Sequence, residues 1–193
     1  MRAQAHTLEG FVASLVILGT VAFALQATAV TPLSASTSNQ QIENQQMAIS
    51  ESLLETLAEQ GELKPAVLYW NTSRNEFRDS GPRGTFSNGG PPTPFGAALN
   101  ETFGDGNIAF NVDVVYRSPD ESRNTVSMVD MGTPSDNAAT ASRTVVLFDD
   151  DTIEGTNRTV ANASAQGDYY AEDVDPDGEL FNVMEVRIVV WRI

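Results

Sequence analysis

Residues 8–30 form one apolar run, LEGFVASLVILGTVAFALQATAV, with a single acidic residue, Glu9, near its start. No ionisable side chain follows Glu9 until Glu43. Residues 10–30 alone are long enough, at about 1.5 Å per residue, to cross a hydrocarbon core of about 30 Å. A carboxylate at the start of such a helix costs free energy. We therefore expect a chain that is attached to a membrane or exported through one, with a specific role for Glu9.

The flanking charges predict the orientation of this segment. Arg2 precedes the apolar run, and the first basic residue after it is Lys64. Because positive residues stay on the cytoplasmic side, the amino terminus is expected inside and residues 31–193 outside. Membrane lipid is then the expected partner of residues 10–30, in a single-pass protein of the cell membrane.

The composition is strongly acidic. The chain has 26 acidic residues against 11 basic ones, of which only Lys64 is a lysine, and its net charge is −15. Such a charge repels itself at low salt, and molar salt screens that repulsion. Acid-rich, lysine-poor composition is similar to that of proteins from extreme halophiles; the alternative is an ordinary acidic secreted domain. Neither nucleic acid nor anionic lipid headgroups suit this surface as partners.

The first third of the chain predicts one long helix. Residues 31–38 are small and polar, and Pro32 is expected to break or bend the helix there. Helical spacing resumes over residues 39–60 and ends at Gly61, which is a typical helix stop. The apolar face predicted for this second half consists of Ile42, Ile49, Leu53 and Leu57, with Met47 and Leu54 beside it.

The remainder predicts a β-rich domain of about normal single-domain size. Residues 80–94 are rich in Gly and Pro and predict a loop, and residues 95–103 predict a short helix. Strands are expected at 66–70, 76–78, 108–116, 125–131, 144–148 and 180–191. The fold class is therefore α+β, with a long N-terminal helix packed on an antiparallel sheet. The expected parts are a processing segment 1–9, a transmembrane helix 10–30, a linker with an amphipathic helix 31–61, and an extracellular domain 62–193.

A short basic start, the pair Ala3-Gln4, and the step Thr7-Leu8-Glu9 before an unbroken apolar helix resemble the class III signal of archaeal type IV pilins. The resemblance implies that a dedicated peptidase cuts before the helix, so that the helix stays on the mature protein. It also implies a cut after a small residue, with Gln next and a Glu at the fifth mature position. Cutting before Gln4 makes Glu9 the sixth mature residue, and cutting before Ala5 makes it the fifth.

The resemblance further implies assembly into a surface filament with other pilin-like subunits and an assembly machinery, with an extracellular location after processing. In such a filament the apolar helices bundle, and Glu9 would pair with the amino terminus of a neighbour. Because a buried unpaired charge costs several kcal/mol, this pairing would set the axial register between subunits. The plain alternative is an acid at the membrane interface with no partner.

A conventional signal peptide is a rival interpretation of the same segment. Ala27-Thr28-Ala29 offers a small-x-small site at the end of the apolar run, where signal peptidase would release a secreted domain. However, Glu9 and one Arg make a poor charged region, and the apolar stretch exceeds the usual 7–15 residues.

An acidic segment at residues 173–179 matches the first half of a calcium loop, D-x-D-x-D-G. Its expected oxygen ligands are Asp173, Asp175, Asp177 and Glu179. The twelfth loop position, which should be a bidentate Glu, is Met184. A solvated acidic turn is the alternative, and no other cofactor is expected.

Four N-glycosylation sequons lie on the predicted external side, at Asn71, Asn100, Asn157 and Asn162. Catalytic chemistry finds little support. The chain has no Cys and a single His, His6, next to the apolar run. A His-based triad or an imidazole metal site in the external domain is therefore excluded, and we expect no enzymatic activity.

These observations together predict a structural subunit of a surface filament, more accessory than principal because of its long Gly/Pro loop and large domain. The alternative is a membrane-anchored surface binding domain, or a secreted domain after cleavage near Ala29.

Overall fold

The computed structural model describes residues 2–104 and 106–193, except for the side chains of residues 2–7 and 26–39. It contains four helices and six strands within this part of the chain. The chain divides into two compact units, Met1–Ile42 and Glu43–Ile193. The predicted α+β class is confirmed.

Helix α1 extends without interruption over Arg2–Glu59. The break expected at Pro32 is therefore not present in the backbone. A proline removes only one backbone donor, and the hydrogen bonds of the adjacent turns maintain the helix. Residues 31–38, predicted as part of a linker, are helical.

The second half of α1 packs into the unit Glu43–Ile193, the β-rich unit, through a face that only partly matches the one predicted: Leu57 and Leu54 are buried as expected, whereas Ile49 and Met47 are exposed. Its buried residues are Gln46, Ser50, Leu54 and Leu57. Ile49 is 41% exposed, and Leu53 is only half-buried. The expected face was wrong in part because the true one includes two polar residues, Gln46 and Ser50, which a search for apolar spacing passes over. Ser50 satisfies its hydroxyl by donating to the carbonyl of Gln46, one turn earlier, at 2.8 Å.

Gly61 ends the helix as predicted. Its φ of +76° is in the left-handed region that favours glycine. Its N–H donates to the carbonyl of Ala58 (3.1 Å), and the N–H of Glu62 donates to the carbonyl of Leu57 (2.9 Å). These two bonds form a Schellman motif, which satisfies the last carbonyls of the helix.

The strand predicted at residues 66–70 was largely wrong: residues 66 and 67 end helix α2, Leu63–Val67, residues 68 and 69 form a turn, and only Trp70 lies in a strand. Leu63, Ala66 and Val67 are buried at helical spacing on one side, and the proline at position 65 is tolerated within the first turn of a helix. The hairpin that follows is confirmed: β1, Trp70–Asn71, pairs antiparallel with β2, Glu76–Phe77.

The main sheet is antiparallel, with the strand order β4-β3-β6-β5. Its strands are β3 (Ile108–Arg117), β4 (Arg123–Asp130), β5 (Ala139–Phe148) and β6 (Leu180–Arg192). Strand β5 begins five residues before its expected start at position 144. Small and polar residues dominate that first half, so the apolar pattern did not reveal it.

Two short helices complete the unit. Helix α3, Pro94–Phe103, confirms the expected helix at 95–103, and the side chain of Thr93 caps it by accepting the N–H of Gly96. Helix α4, Val160–Ser164, was not predicted, and Thr159 caps it. The core lies between the sheet, α3, the small helices and the second half of α1. Its largest fully buried side chains are Phe77, Phe95, Phe103, Phe110, Phe181, Leu54, Leu99, Met128, Leu147, Ile153, Met184 and Ile188.

Candidate functional site

The side chains of the apolar segment of α1 are not buried by any other part of the described chain. Leu8–Leu25 has a mean hydropathy of 2.1, and none of its residues is buried. Phe23 is 73% exposed and Leu8 is 67% exposed. The segment is long and apolar enough to cross a membrane, and its place near the amino terminus suits either an anchor or a signal sequence.

Both hydroxyl groups within Leu8–Leu25 bond to the helix itself. The hydroxyl of Ser14 lies 2.9 Å from the carbonyl oxygens of Gly10 and Phe11. The hydroxyl of Thr20 lies 2.8 Å from the carbonyl of Ile17 and 3.1 Å from that of Val16. Such backbone-directed bonds allow Ser and Thr to leave water without an unsatisfied donor. Apart from Glu9 at its start, the segment therefore suits an apolar environment.

Glu9 lies at the start of this segment and is exposed. The expected processing site consists of Ala3, Gln4 and Ala5. Their backbone is part of helix α1, and their side chains lie outside the described part. The same holds for His6 and for the signal peptidase motif at residues 27–29. Where the chain is cleaved stays a prediction.

The fold brings two acidic turns together at one end of β5 and β6. The N–H of Asp149 donates to the carbonyl of Glu179 at 3.1 Å. An open cavity of about 430 Å³ lies there, lined by Phe148, Asp149, Asp150, Gly178 and Glu179. Burial raises the pKa of the Asp149 carboxyl, and the charges of the surrounding acids, first Asp173, raise it further. The arrangement disfavours negative charge, so an anionic ligand does not fit it.

The predicted calcium loop closes on itself instead of gathering its carboxylates. The carboxylate of Asp173 accepts the N–H of Asp175 at 2.9 Å. The carbonyl of Asp175 accepts the N–H of Gly178 at 2.8 Å. Among the described residues, no group of three or more His, Cys, Asp or Glu side chains is placed to hold a metal ion. The calcium hypothesis for Asp173, Asp175, Asp177 and Glu179 therefore gains no support from the geometry.

An uncharged groove lies along the second half of α1, beside the end of α3. Its volume is about 490 Å³, and it is lined by Gln45, Ala48, Ile49, Ser52, Leu53, Thr56 and Thr102. The groove exists because α1 turns Ile49 outward rather than into the core. Sequence reasoning missed it, since the apolar residues of this helix were all assigned to the buried face.

The four sequons lie at different places on the β-rich unit. Asn71 is half-buried in β1, and Asn100 is in α3. Asn162 is in α4, whereas Asn157 is exposed in the turn that precedes this helix. Glycan occupancy at each stays a prediction, as does the expected lack of enzymatic activity.

A family model of unknown function, DUF7288, matches residues 2–190 of the chain. The chain belongs to DUF7288. The match covers the apolar segment of α1 and almost the whole β-rich unit. The family model therefore includes both the apolar segment and the β-rich unit. No curated protein and no solved structure matches this DUF7288 chain.

Proposed function

We propose that this chain is a structural subunit of a pilin-like surface filament, assembled through its apolar N-terminal helix. The observation that supports the proposal is the segment Leu8–Leu25, which is apolar, helical and wholly exposed. An apolar surface of this length requires cover from outside the chain. A lipid bilayer provides that cover before assembly, and the helices of neighbouring subunits provide it afterwards.

Glu9 favours assembly over a simple anchor. A carboxylate at the headgroup level of a bilayer is solvated, whereas the same group inside a helix bundle must be paired and hydrogen-bonded. In the proposed filament the amino terminus of a neighbour supplies the opposite charge. The pairing adds little to stability, but it excludes axial positions in which the carboxylate has no partner.

The β-rich unit Glu43–Ile193 would form the outer surface of the filament. With Arg2 and Glu9 cancelling, the full net charge of −15 belongs to the rest of the chain. Such a surface stays soluble and dispersed where salt screens it. We assign the chain an accessory rather than a principal role, because a domain with a long Gly/Pro loop exceeds what a minimal repeating subunit needs.

The mature amino terminus tests this proposal directly. Mass spectrometry of the protein purified from its own membranes or filaments should find a chain that begins at Gln4 or Ala5. A chain beginning at Val30 would instead identify a secreted domain released by signal peptidase. An intact Met1 would favour a membrane-anchored surface domain.

Replacement of Glu9 tests the pairing itself. The variant Glu9→Gln should insert into the membrane normally and lose assembly into filaments, whereas Glu9→Asp should keep part of it. Glu51→Gln is the matched control, because Glu51 is an exposed acid on the same helix within the β-rich unit. Normal filaments from Glu9→Gln would contradict the proposed role of the carboxylate.

A further inference from the structure

Asn157 occupies a surface turn whose backbone is held on both sides. The turn connects Thr152 and Thr159, which form an isolated antiparallel bridge. Inside it, the N–H of Ile153 donates to the carbonyl of Arg158 at 3.0 Å. The guanidinium of Arg158 pairs with the carboxylate of Asp168 at 2.9 Å. The turn is therefore fixed by groups other than the side chain of Asn157.

The side chain of Asn157 is exposed and makes no hydrogen bond to any residue that the structure describes. A substituent on its Nδ2 atom would enter solvent without breaking an existing contact. Residues 157–159 read Asn-Arg-Thr, with a hydroxyl at the position that N-glycosylation requires. Asn100 and Asn162 are exposed as well, so what distinguishes Asn157 is that its amide makes no hydrogen bond to a described residue.

The amides of the other three sequons each take part in a hydrogen bond, through Nδ2 in Asn162 and through Oδ1 in Asn71 and Asn100. The Nδ2 of Asn162 donates to the hydroxyl of Thr159 at 3.1 Å. The Oδ1 of Asn71 accepts the N–H of Ser73 at 3.0 Å. The Oδ1 of Asn100 accepts the N–H of Gly90 at 2.9 Å.

The amide of Asn100 is also crowded on one side. Its amide lies so close to the neighbouring loop that a Cβ added at Gly89 would be 2.6 Å from Oδ1 and 3.3 Å from Nδ2. Asn100 is exposed, but this loop borders one side of its amide. The structure therefore separates Asn157, whose amide makes no hydrogen bond to a described residue, from three sequons whose amides are hydrogen-bonded.

We infer that Asn157 is the N-glycosylation site of this chain. The inference depends on the external location of the β-rich unit in the proposed function. The sugar donor would be a lipid-linked oligosaccharide phosphate on the outer side of the membrane. The Nδ2 atom forms a bond to the anomeric carbon, the bond from that carbon to the phosphate oxygen breaks, and Nδ2 loses one proton.

Tryptic peptides of the protein from its native source test the inference. Trypsin cleaves after Arg143 and Arg158, so Asn157 and Asn162 fall on different peptides. The peptide of residues 144–158 should carry a sugar mass, and the peptide of residues 84–117, which contains Asn100, should be bare. An unmodified 144–158 peptide, whether or not another sequon is occupied, would overturn the inference.

Two variants assign the modification to the residue. Asn157→Gln keeps an amide but removes the acceptor, so the intact mass should fall by the whole glycan. Asn162→Gln is the matched control and should leave the glycan in place. An unchanged glycan mass in Asn157→Gln would also overturn the inference. The same digest reports the mature amino terminus, so a chain cut at Gln4 or Ala5 but lacking sugar would refute this inference and leave the filament proposal standing.

Discussion

The hydroxyl of Tyr169 lies 3.1 Å from the carbonyl oxygen of Val67, at the end of α2. The hydroxyl of Tyr170 lies 3.0 Å from the same oxygen. The two adjacent tyrosines thus fasten a helix C-terminus, where carbonyls lack intrahelical partners, to a segment about a hundred residues later in the chain. The ring of Tyr170 also packs edge-on against Trp70, with centroids 4.9 Å apart.

Removing the Tyr169 hydroxyl should cost about 1 kcal/mol of unfolding free energy, because Tyr170 still satisfies Val67. Removing both hydroxyls should cost more than the sum of the single changes, since a buried carbonyl then loses both side-chain donors. Urea unfolding of Tyr169→Phe, Tyr170→Phe and the double variant measures this. Tyr116→Phe is the control, because the Tyr116 hydroxyl bonds to no residue within the described part. Strictly additive losses would contradict the shared-acceptor interpretation.

All four tyrosines should ionise later in the native protein than in the unfolded chain. Burial and the hydrogen bond to Asp79, 2.6 Å away, raise the pKa of Tyr69 to about 12. Burial is the main cause that raises the pKa of Tyr116, Tyr169 and Tyr170. Phenolate absorbance at pH 10 should therefore be small in the native protein and near half-maximal in urea.

The same shifts predict how stability changes at alkaline pH. Above about pH 10 the unfolded chain releases phenolic protons that the folded protein still holds. The free energy of unfolding should therefore fall as the pH rises from about 10 towards 12, and be unaffected by these groups below that range. Urea midpoints at pH 8 and pH 11 measure the loss. A tyrosine that titrates near pH 10 in the native state would contradict the burial described here.

Elements defined by local pattern were predictable, and elements defined by tertiary context were not. The strands β3 and β6, the helix at 95–103 and the stop at Gly61 all depend on residues close in sequence. Residues 66–70 combine apolar side chains that suit a strand or a short buried helix equally well; the fold places residues 66 and 67 in helix α2 and Trp70 in strand β1. Helix α4 has five residues, too few to give a periodic signal.

The buried face of α1 is the most informative error, because it can be tested by mutation. Leu54 is 1% exposed and Ile49 is 41% exposed. Leu54→Ala should lose about 2–5 kcal/mol of unfolding free energy. Ile49→Ala should change it by no more than about 0.5 kcal/mol, because the residue is exposed and alanine favours helix. Thermal unfolding of the full-length chain in detergent measures both, and the reverse order would restore the face predicted from sequence.

The candidate sites follow the same division. A sequon is a local motif, so all four were visible in the sequence, but the hydrogen bonds of their amides, such as that between Asn100 and the loop at Gly90, depend on the fold. The acidic run at 173–179 has the residue types that bind calcium. Its geometry was not predictable, because the backbone forms a turn in which the carboxylate of Asp175 lies against Gly178. The groove beside α3 could not be predicted, because it depends on where the fold places Thr102 relative to α1.

Replacing Gly155 by alanine should destabilise the turn between Thr152 and Thr159. Its φ is +68°, and an added Cβ would overlap the guanidinium of Arg78. That guanidinium donates to the carbonyl oxygens of Glu154 (3.2 Å) and Gly155 (3.5 Å). Gly155→Ala should therefore combine backbone strain with displacement of Arg78, for a loss of about 2–3 kcal/mol.

Gly167 separates these two costs. Its φ is +73°, and no atom lies within 4 Å of an added Cβ, so Gly167→Ala should lose only the backbone contribution, about 1 kcal/mol. Adding Arg78→Ala to Gly155→Ala removes the overlap, and the pair should lose less than the two single changes combined. Equal losses in Gly155→Ala and Gly167→Ala, measured by urea unfolding, would show that Arg78 moves aside without cost and that backbone strain alone makes glycine necessary at position 155.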